Sequence, residues 1–196
     1  MDLCCGVGLS TRALQEAFPN AETLIGVDTS PEMISMANFL SDQQRRMRPF
    51  TNFFNNKNFA GLNKSLRKQG MSIERAYVKA KRAIAKYSCA NAEDTFLPDK
   101  AFDLVTVMYA FHEAPRAGRE KILAEAHRLL QKGGMLALVD ITPDYEPSET
   151  MLAGEPYVLE YQKNINRQLQ RVKGFTKATF RDIVPGHVGL WLLRRV

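Results

Sequence analysis

Two rhythms of apolar and polar residues alternate along this chain. Short continuous apolar runs, Leu24-Ile25-Gly26-Val27, Phe102 to Tyr109 and Met135 to Val139, have the pattern of strands buried on both faces of a parallel sheet. Between them apolar residues recur three and four apart, the period of a helix with one buried face. Met33, Ile34, Met36, Ala37 and Leu40 follow a start signal in which Ser30 caps and Pro31 occupies the first turn. Ile122, Leu123, Ala126, Leu129 and Leu130 predict a second helix that stops at Gly133-Gly134, and Val158, Tyr161, Ile165, Leu169 and Val172 trace a third. Ile73, Tyr77, Ala80, Ile84 and Tyr87 mark a helix over about 72–85, which hands over to a short strand at Lys86 to Ala90. Residues 42–70, rich in Asn, Arg, Lys and Gln with Phe50, Phe53, Phe54 and Phe59 scattered among them, have no clear period and predict a loop-like insertion. The end of the chain predicts a hairpin: Phe175 to Val184, a Pro185-Gly186 turn, then His187 to Arg194. Strands alternating with helices and closing on an antiparallel pair predict a single α/β domain over residues 1–196.

The first ten residues carry the candidate chemistry. Met1-Asp2-Leu3-Cys4-Cys5-Gly6-Val7-Gly8-Leu9-Ser10 has the form of a strand end, a glycine turn and the start of a helix at about Ser10 to Ala17. Leu24 to Asp28 then ends a second apolar run on a carboxylate. An α/β sheet grips a nucleoside in this way. Glycine lets a ligand touch backbone, the helix start offers free N–H groups, and the acid accepts from both ribose hydroxyls. An ordinary tight turn is the plain alternative. Dinucleotides and S-adenosylmethionine both use the layout. A dinucleotide site places Gly or Ala where this chain has Thr11, and the Asp2 carboxylate would repel a diphosphate yet suit an ammonium or sulfonium. The charges therefore favour the methyl donor over a nicotinamide cofactor. Only Met1 to Leu3 precede the turn, where a central strand takes about five or six residues. The sequence is therefore expected to continue upstream with the rest of that strand and one or two helices, and this chain alone to be marginally stable.

Charge changes the picture in one place. The formal net charge is +6, but twelve of the 27 Lys and Arg lie between Gln43 and Ser88, with Glu74 as the only acid there. The sequence pI of about 9.3 thus belongs to the insertion at about 42–72 and the helix it leads into. A solvated face, a surface for an acidic membrane or partner or a lid over the acceptor, and nucleic-acid binding through interleaved aromatics all fit. No nucleic-acid recognition motif supports the last. No apolar run approaches the 18 residues of a membrane span. Three cysteines, Cys4, Cys5 and Cys89, make no disulfide framework and point to a reducing intracellular compartment. No Cys/His spacing implies a metal.

With these elements in order, the chain resembles the class I S-adenosylmethionine-dependent methyltransferases. It is most similar to the small-molecule branch that includes the ubiquinone/menaquinone-biosynthesis enzymes. Asp2 to Gly8 matches the family's D-L-G-C-G-T-G turn, and Ile25 to Met33 its second strand and following helix. Asn91-Ala92-Glu93-Asp94 with Leu97-Pro98 to Phe102-Asp103 matches the D-A-E-x-L-P-F-x-x-x-x-F-D run with one extra residue. Leu129 to Leu136 matches the helix–Gly-Gly–strand passage. The likeness covers everything except 42–72. It implies a Rossmann-like three-layer sandwich whose seven-stranded sheet is mostly parallel, with the last strand antiparallel and the first strand incomplete. It also implies S-adenosylmethionine as donor, lying over Gly6 and Gly8 with its ribose on Asp28 and its adenine near Asn91 and Ala92; Asp2, Cys4, Thr29 and Tyr109 complete that set. Two positions depart from the family: Cys4 stands where the turn has Gly, and Asn91 where the run has Asp.

Methyl transfer from a sulfonium is an in-line displacement that gains most from alignment. An acceptor hydroxyl or enolic carbon also needs a base, and His112, just after the fourth strand, is the candidate. A cap or packing role for His112 is the plain alternative. Tyr109 and Phe111 are expected to wall the donor pocket and His127 to face solvent; Asp140, at the fifth strand's end, faces the same edge as His112, with a turn residue before Thr142-Pro143 as the favoured plain reading. The expected activity is methylation of a small organic acceptor: a quinone-like ring, a lipid or another metabolite. The competing reading is a methyltransferase-like module that binds the donor weakly or not at all.

Overall fold

The computed structural model describes residues 1–55 and 84–196, the side chains of 45–55 excepted. Its strands are β1 (Asp2–Leu3), β2 (Leu24–Asp28), β3 (Ala85–Cys89), β4 (Phe102–Met108), β5 (Leu130–Ile141), β6 (Thr179–Val184) and β7 (Val188–Arg194). The helices among the described residues are α1 (Leu9–Ala17), α2 (Pro31–Asn55), α3 (Arg116–Leu129), α4 (Glu149–Gly154) and α5 (Val158–Arg171). The strands form one sheet in the order β3-β2-β1-β4-β5-β7-β6. β1 pairs in parallel with β2 and β4, β2 with β3, and β4 with β5. β7 alone runs against its neighbours, antiparallel to both β5 and β6. None of these helices is long and apolar enough to cross a membrane.

Side chains alternate across a strand, and the sheet register sorts them onto two faces. Asp2 pairs with Gly26 and Thr106, and Gly26 with Tyr87. This row, with Leu24, Ala85, Leu104 and Met108, faces α1 and packs against Leu14. The alternate row, Leu3, Val27, Val105 and Val107, belongs to the larger cluster with Ile122, Leu123, Ala126 and Leu129 of α3 and Val158, Tyr161, Ile165 and Leu169 of α5. Two apolar layers on one sheet make the three-layer sandwich that the resemblance implied.

Several expectations need correction. α2 does not stop near Leu40 but runs to Asn55, so residues 42–55 are helical rather than loop-like. Its buried stripe is Ile34, Ala37 and Ser41, while Met33 and Met36 are exposed. The remainder of the basic insertion and the helix expected over about 72–85 lie outside the described residues up to 83. Ala85 and Tyr87 belong to β3, because Tyr87 is needed on the α1 face of the sheet. α3 ends at Leu129, and the chain enters β5 directly, with Leu130 already extended. Gly133-Gly134 lies inside β5, where the pairing with β4 shifts register, and Gly133 takes a φ of 79°. The terminal hairpin is present, although its first strand begins at Thr179 rather than Phe175. His127 is half-buried: its ring packs edge-on against Phe175, with centroids 5.4 Å apart, and burial lowers its pKa.

Gly26 sets how closely α1 approaches the sheet. A Cβ there would lie 2.8 Å from Thr11 Oγ1 and 2.9 Å from Cys5 Sγ. Overpacking of this kind costs roughly 1–3 kcal/mol. Gly26→Ala should therefore lower Tm by about 2–12 °C in calorimetry of a domain this size. An unchanged Tm would show that α1 has room to move outward at no cost.

Candidate active site

The turn after β1 is built from backbone that glycine adopts without strain. Gly6 and Gly8 have φ of 51° and 73°. Cys5 N donates to Val27 O (2.9 Å), and Gly8 N to Cys5 O (2.8 Å), which closes the bend against β2. Gly8 then caps α1 in the left-handed region with no side-chain cap. A Cβ on Gly8 would fall 2.5 Å from the Tyr87 ring, so the turn rests directly on β3.

Two carboxylates hold this turn from opposite sides. Asp2, with no exposure, accepts from Ser10 Oγ (2.7 Å), Thr11 Oγ1 (2.6 Å) and Thr106 Oγ1 (2.7 Å). Thr11 thereby has a use of its own at the position where a dinucleotide site has Gly or Ala. Asp28 accepts from Gly6 N (2.9 Å) through Oδ2 and from Ser30 N (3.0 Å) through Oδ1. A carboxylate has about four acceptor positions, so half-buried Asp28 keeps acceptor capacity beyond these two bonds. Asp2 is spent inside the fold and works on the site through the turn.

The other expected donor residues gather at the same edge. Thr29, exposed, follows β2. Asn91, also exposed, and buried Ala92 follow β3, where Ala90 N donates to Asp28 O (2.9 Å). The Asn91 side-chain oxygen accepts from Glu93 N (2.9 Å), so its own loop already engages it. Tyr109 follows β4 with a φ of 53° and is 48% exposed. Phe111 is not a pocket wall: it has no exposure and belongs to the core. Cys4 has a φ of 57°, which accounts for the family's glycine at that position. Burial pushes its thiol up to about 12, helped by the Asp28, Asp2, Glu113 and Glu93 carboxylates, so at neutral pH it is an uncharged group in the turn.

A second constellation forms where β4 and β5 end. His112 is 5% exposed, and its Nδ1 pairs with Asp140 Oδ1 at 2.5 Å. Asp140 is not a turn residue: it is fully buried in β5 and also accepts from Phe111 N (2.9 Å), His112 N (3.4 Å) and Ile141 N (2.8 Å). The opposite nitrogen, His112 Nε2, points toward Glu155 Oε2 at 3.4 Å and Glu113 Oε1 at 3.8 Å. Burial pulls the His112 pKa down, but Asp140, Glu155 and Glu113 outweigh it and the net shift is upward. Burial raises Glu113, and Asp28 contributes to that shift, so the donor turn and this constellation lie within electrostatic reach of each other. Sequence reading missed Glu113 and Glu155. Glu113 adjoins His112 and could have been suspected; Glu155, between Gly154 and Pro156, carries no pattern that connects it to a histidine so far away in the chain.

A family model described as a methyltransferase domain matches residues 55–138. The chain is 27% identical over 141 residues to an uncharacterized methyltransferase of Synechocystis, covering 72% of this chain and 46% of that protein. It is 39% identical over 62 residues to a ubiquinone/menaquinone biosynthesis C-methyltransferase of Psychromonas ingrahamii, covering 31% of this chain and 24% of that protein. The chain thus spans less than half the length of these curated relatives. Among solved structures, an S-adenosylmethionine-dependent methyltransferase from Mesorhizobium loti superposes with a TM-score of 0.59 at 16% identity, covering 99% of this chain and 89% of that one. Magnesium protoporphyrin IX methyltransferase from Synechocystis, solved with bound SAM, gives 0.54 at 16% identity, covering 100% of this chain and 68% of that one. These two likenesses establish the fold. The domain match and the relatives make part of this chain similar to methyltransferases, on a fold shared with solved S-adenosylmethionine-dependent ones.

Proposed function

We propose that this chain transfers a methyl group from S-adenosylmethionine to a small organic acceptor, of the quinone-like, lipid or related metabolite class. One observation carries the reading. A glycine turn tied to Asp28 and a buried histidine tied to Asp140 occupy neighbouring strand ends on one edge of the sheet. The donor half fits the cofactor chemically. Gly6 offers backbone without a Cβ, with nothing within 4 Å of where one would be, and Asp28 has lone pairs left for ribose hydroxyls.

Bound donor supplies an electrophilic methyl whose sulfur leaves as a neutral thioether. The chain's own part is alignment and activation of the acceptor. Gly6, Gly8 and Asp28 fix the donor, Thr29, Asn91 and Ala92 border its adenine end, and Tyr109 stands between the halves. His112, oriented by Asp140, is the residue that activates the acceptor.

Cys4 and Asn91 favour one second reading, a module that has lost donor binding. Cys4 adds a side chain at a left-handed position of the turn, and the Asn91 oxygen is engaged by Glu93 N.

Calorimetry with S-adenosylhomocysteine tests the donor half. Asp28→Ala should weaken binding by roughly 1–3 kcal/mol, about 5- to 150-fold. Unchanged affinity would remove Asp28 from the site. In the double variant Cys4→Gly/Asn91→Asp the affinity should rise only modestly above that of the natural chain. A rise from nil to micromolar would instead identify the natural chain as a degenerate module. His112→Ala should lower turnover by about a hundredfold or more while donor affinity holds; loss of donor binding in that variant would make His112 structural.

A further inference from the structure

His112 Nε2, Glu113 and Glu155 present one ligand atom each, all within 4.8 Å of one another. We propose that these three side chains form a binding site for a divalent transition ion of the zinc or manganese class, set on the acceptor side of the cleft.

The first argument is geometric. Around an ion at about 2.0–2.2 Å from nitrogen and oxygen ligands, neighbouring ligand atoms stand roughly 3.0–3.5 Å apart. The His112–Glu155 separation of 3.4 Å already meets this, and the 3.8 Å to Glu113 closes by a small turn of an exposed side chain. The second argument comes from the other side of the ring. A metal-bound histidine commonly gives its remaining nitrogen to a carboxylate, which fixes the tautomer and ring plane. Asp140, fully buried, does this at Nδ1.

A third observation concerns hydrogen bonding rather than spacing. Glu155 Oε2 is buried yet has no hydrogen-bond partner, a costly state for a carboxylate oxygen. The charged group nearest that oxygen is His112 Nε2, at 3.4 Å on a ring that is itself buried. Charge agrees: one imidazole faces Asp140, Glu113 and Glu155, and no Lys or Arg among the described residues pairs with any of the three. A dication would neutralise what a single proton cannot. The donor set selects the ion class, since imidazole suits zinc and iron, and carboxylates suit manganese and magnesium. Three protein ligands leave a position open, as in catalytic sites.

The role of the ion rests on the proposed reaction. An ion held by His112, Glu113 and Glu155 would lower the pKa of an acceptor hydroxyl at its open position; with that proton passed to solvent, the oxygen would take the methyl as the donor's S–CH3 bond breaks and the neutral thioether leaves. In that arrangement His112 serves as a ligand.

Titration of Mn2+ or Zn2+ alone into the chelator-treated full chain, followed by calorimetry and by the Mn2+ spin resonance signal, tests the site. Saturable binding of one ion per chain is expected. It should weaken about tenfold or more in Glu155→Gln, and by a similar factor in Asp140→Asn, whose carboxylate acts from behind the ring. Asp28→Ala removes a charge that Glu113 feels but no ligand, so it should shift ion affinity far less than Glu155→Gln does, and failure of the donor reading and failure of this one are separable. No saturable binding by the natural chain, or binding undiminished in a folded Glu155→Gln variant, would overturn the proposal.

Discussion

A carboxylate without contact to water holds the glycine turn of this molecule in place. Asp2 has no exposure, and the three groups that satisfy it are hydroxyls, two from the start of α1 and one from β4. An unpaired buried charge is so unfavourable that the fold must bring all its partners together or none. Satisfying Asp2 therefore fixes α1 over β1 and aligns β4 beside it. It also leaves the glycine turn no other path than the one that exposes its backbone at the sheet edge. Gly26, bare beneath Thr11, makes room for the same contact from β2.

From that anchoring the site inherits its layout. Parallel strands end together, so residues distant in the chain meet at one edge: the turn after β1, Asp28 at the end of β2, Asn91 after β3, Tyr109 after β4 and Asp140 at the end of β5. The donor side uses carboxylates on backbone N–H groups. The other side uses one carboxylate on an imidazole and aims two more at the ring's far nitrogen. The first arrangement suits a neutral or cationic ligand held by hydrogen bonds, and the second concentrates negative charge in a half-dry corner.

The strand and turn positions of the donor half were legible because their constraints are local. A left-handed φ calls for glycine, a buried parallel strand calls for an unbroken apolar run, and both can be seen in a window of ten residues. Asp2 and Asp28 were picked out for the same reason, although only the structure separates their places: Asp2 serves the turn from within, and half-buried Asp28 holds it from β2. The acceptor side was less legible. Asp140 resembles any acid before Thr-Pro until β4 and β5 are paired, and Glu155 depends on a helix of six residues that no periodicity could announce. Met33 and Met36 misled in the opposite direction, since an apolar side chain at helical spacing need not face the core when Ile34 and Ala37 already fill it. The long α2 was hidden because its second half is polar and cationic.

That short helix has a dynamic consequence. α4 buries none of its residues fully and is held at its start by one Ser148 hydroxyl on Met151 N. Segments with so little buried surface open at a free energy far below that of global unfolding. Glu155 terminates this segment, whereas His112 and Asp140 belong to its rigid opposite wall. The corner is thus assembled from parts with very different lifetimes, and its charge balance rises and falls with the opening of six residues rather than with any motion of the sheet.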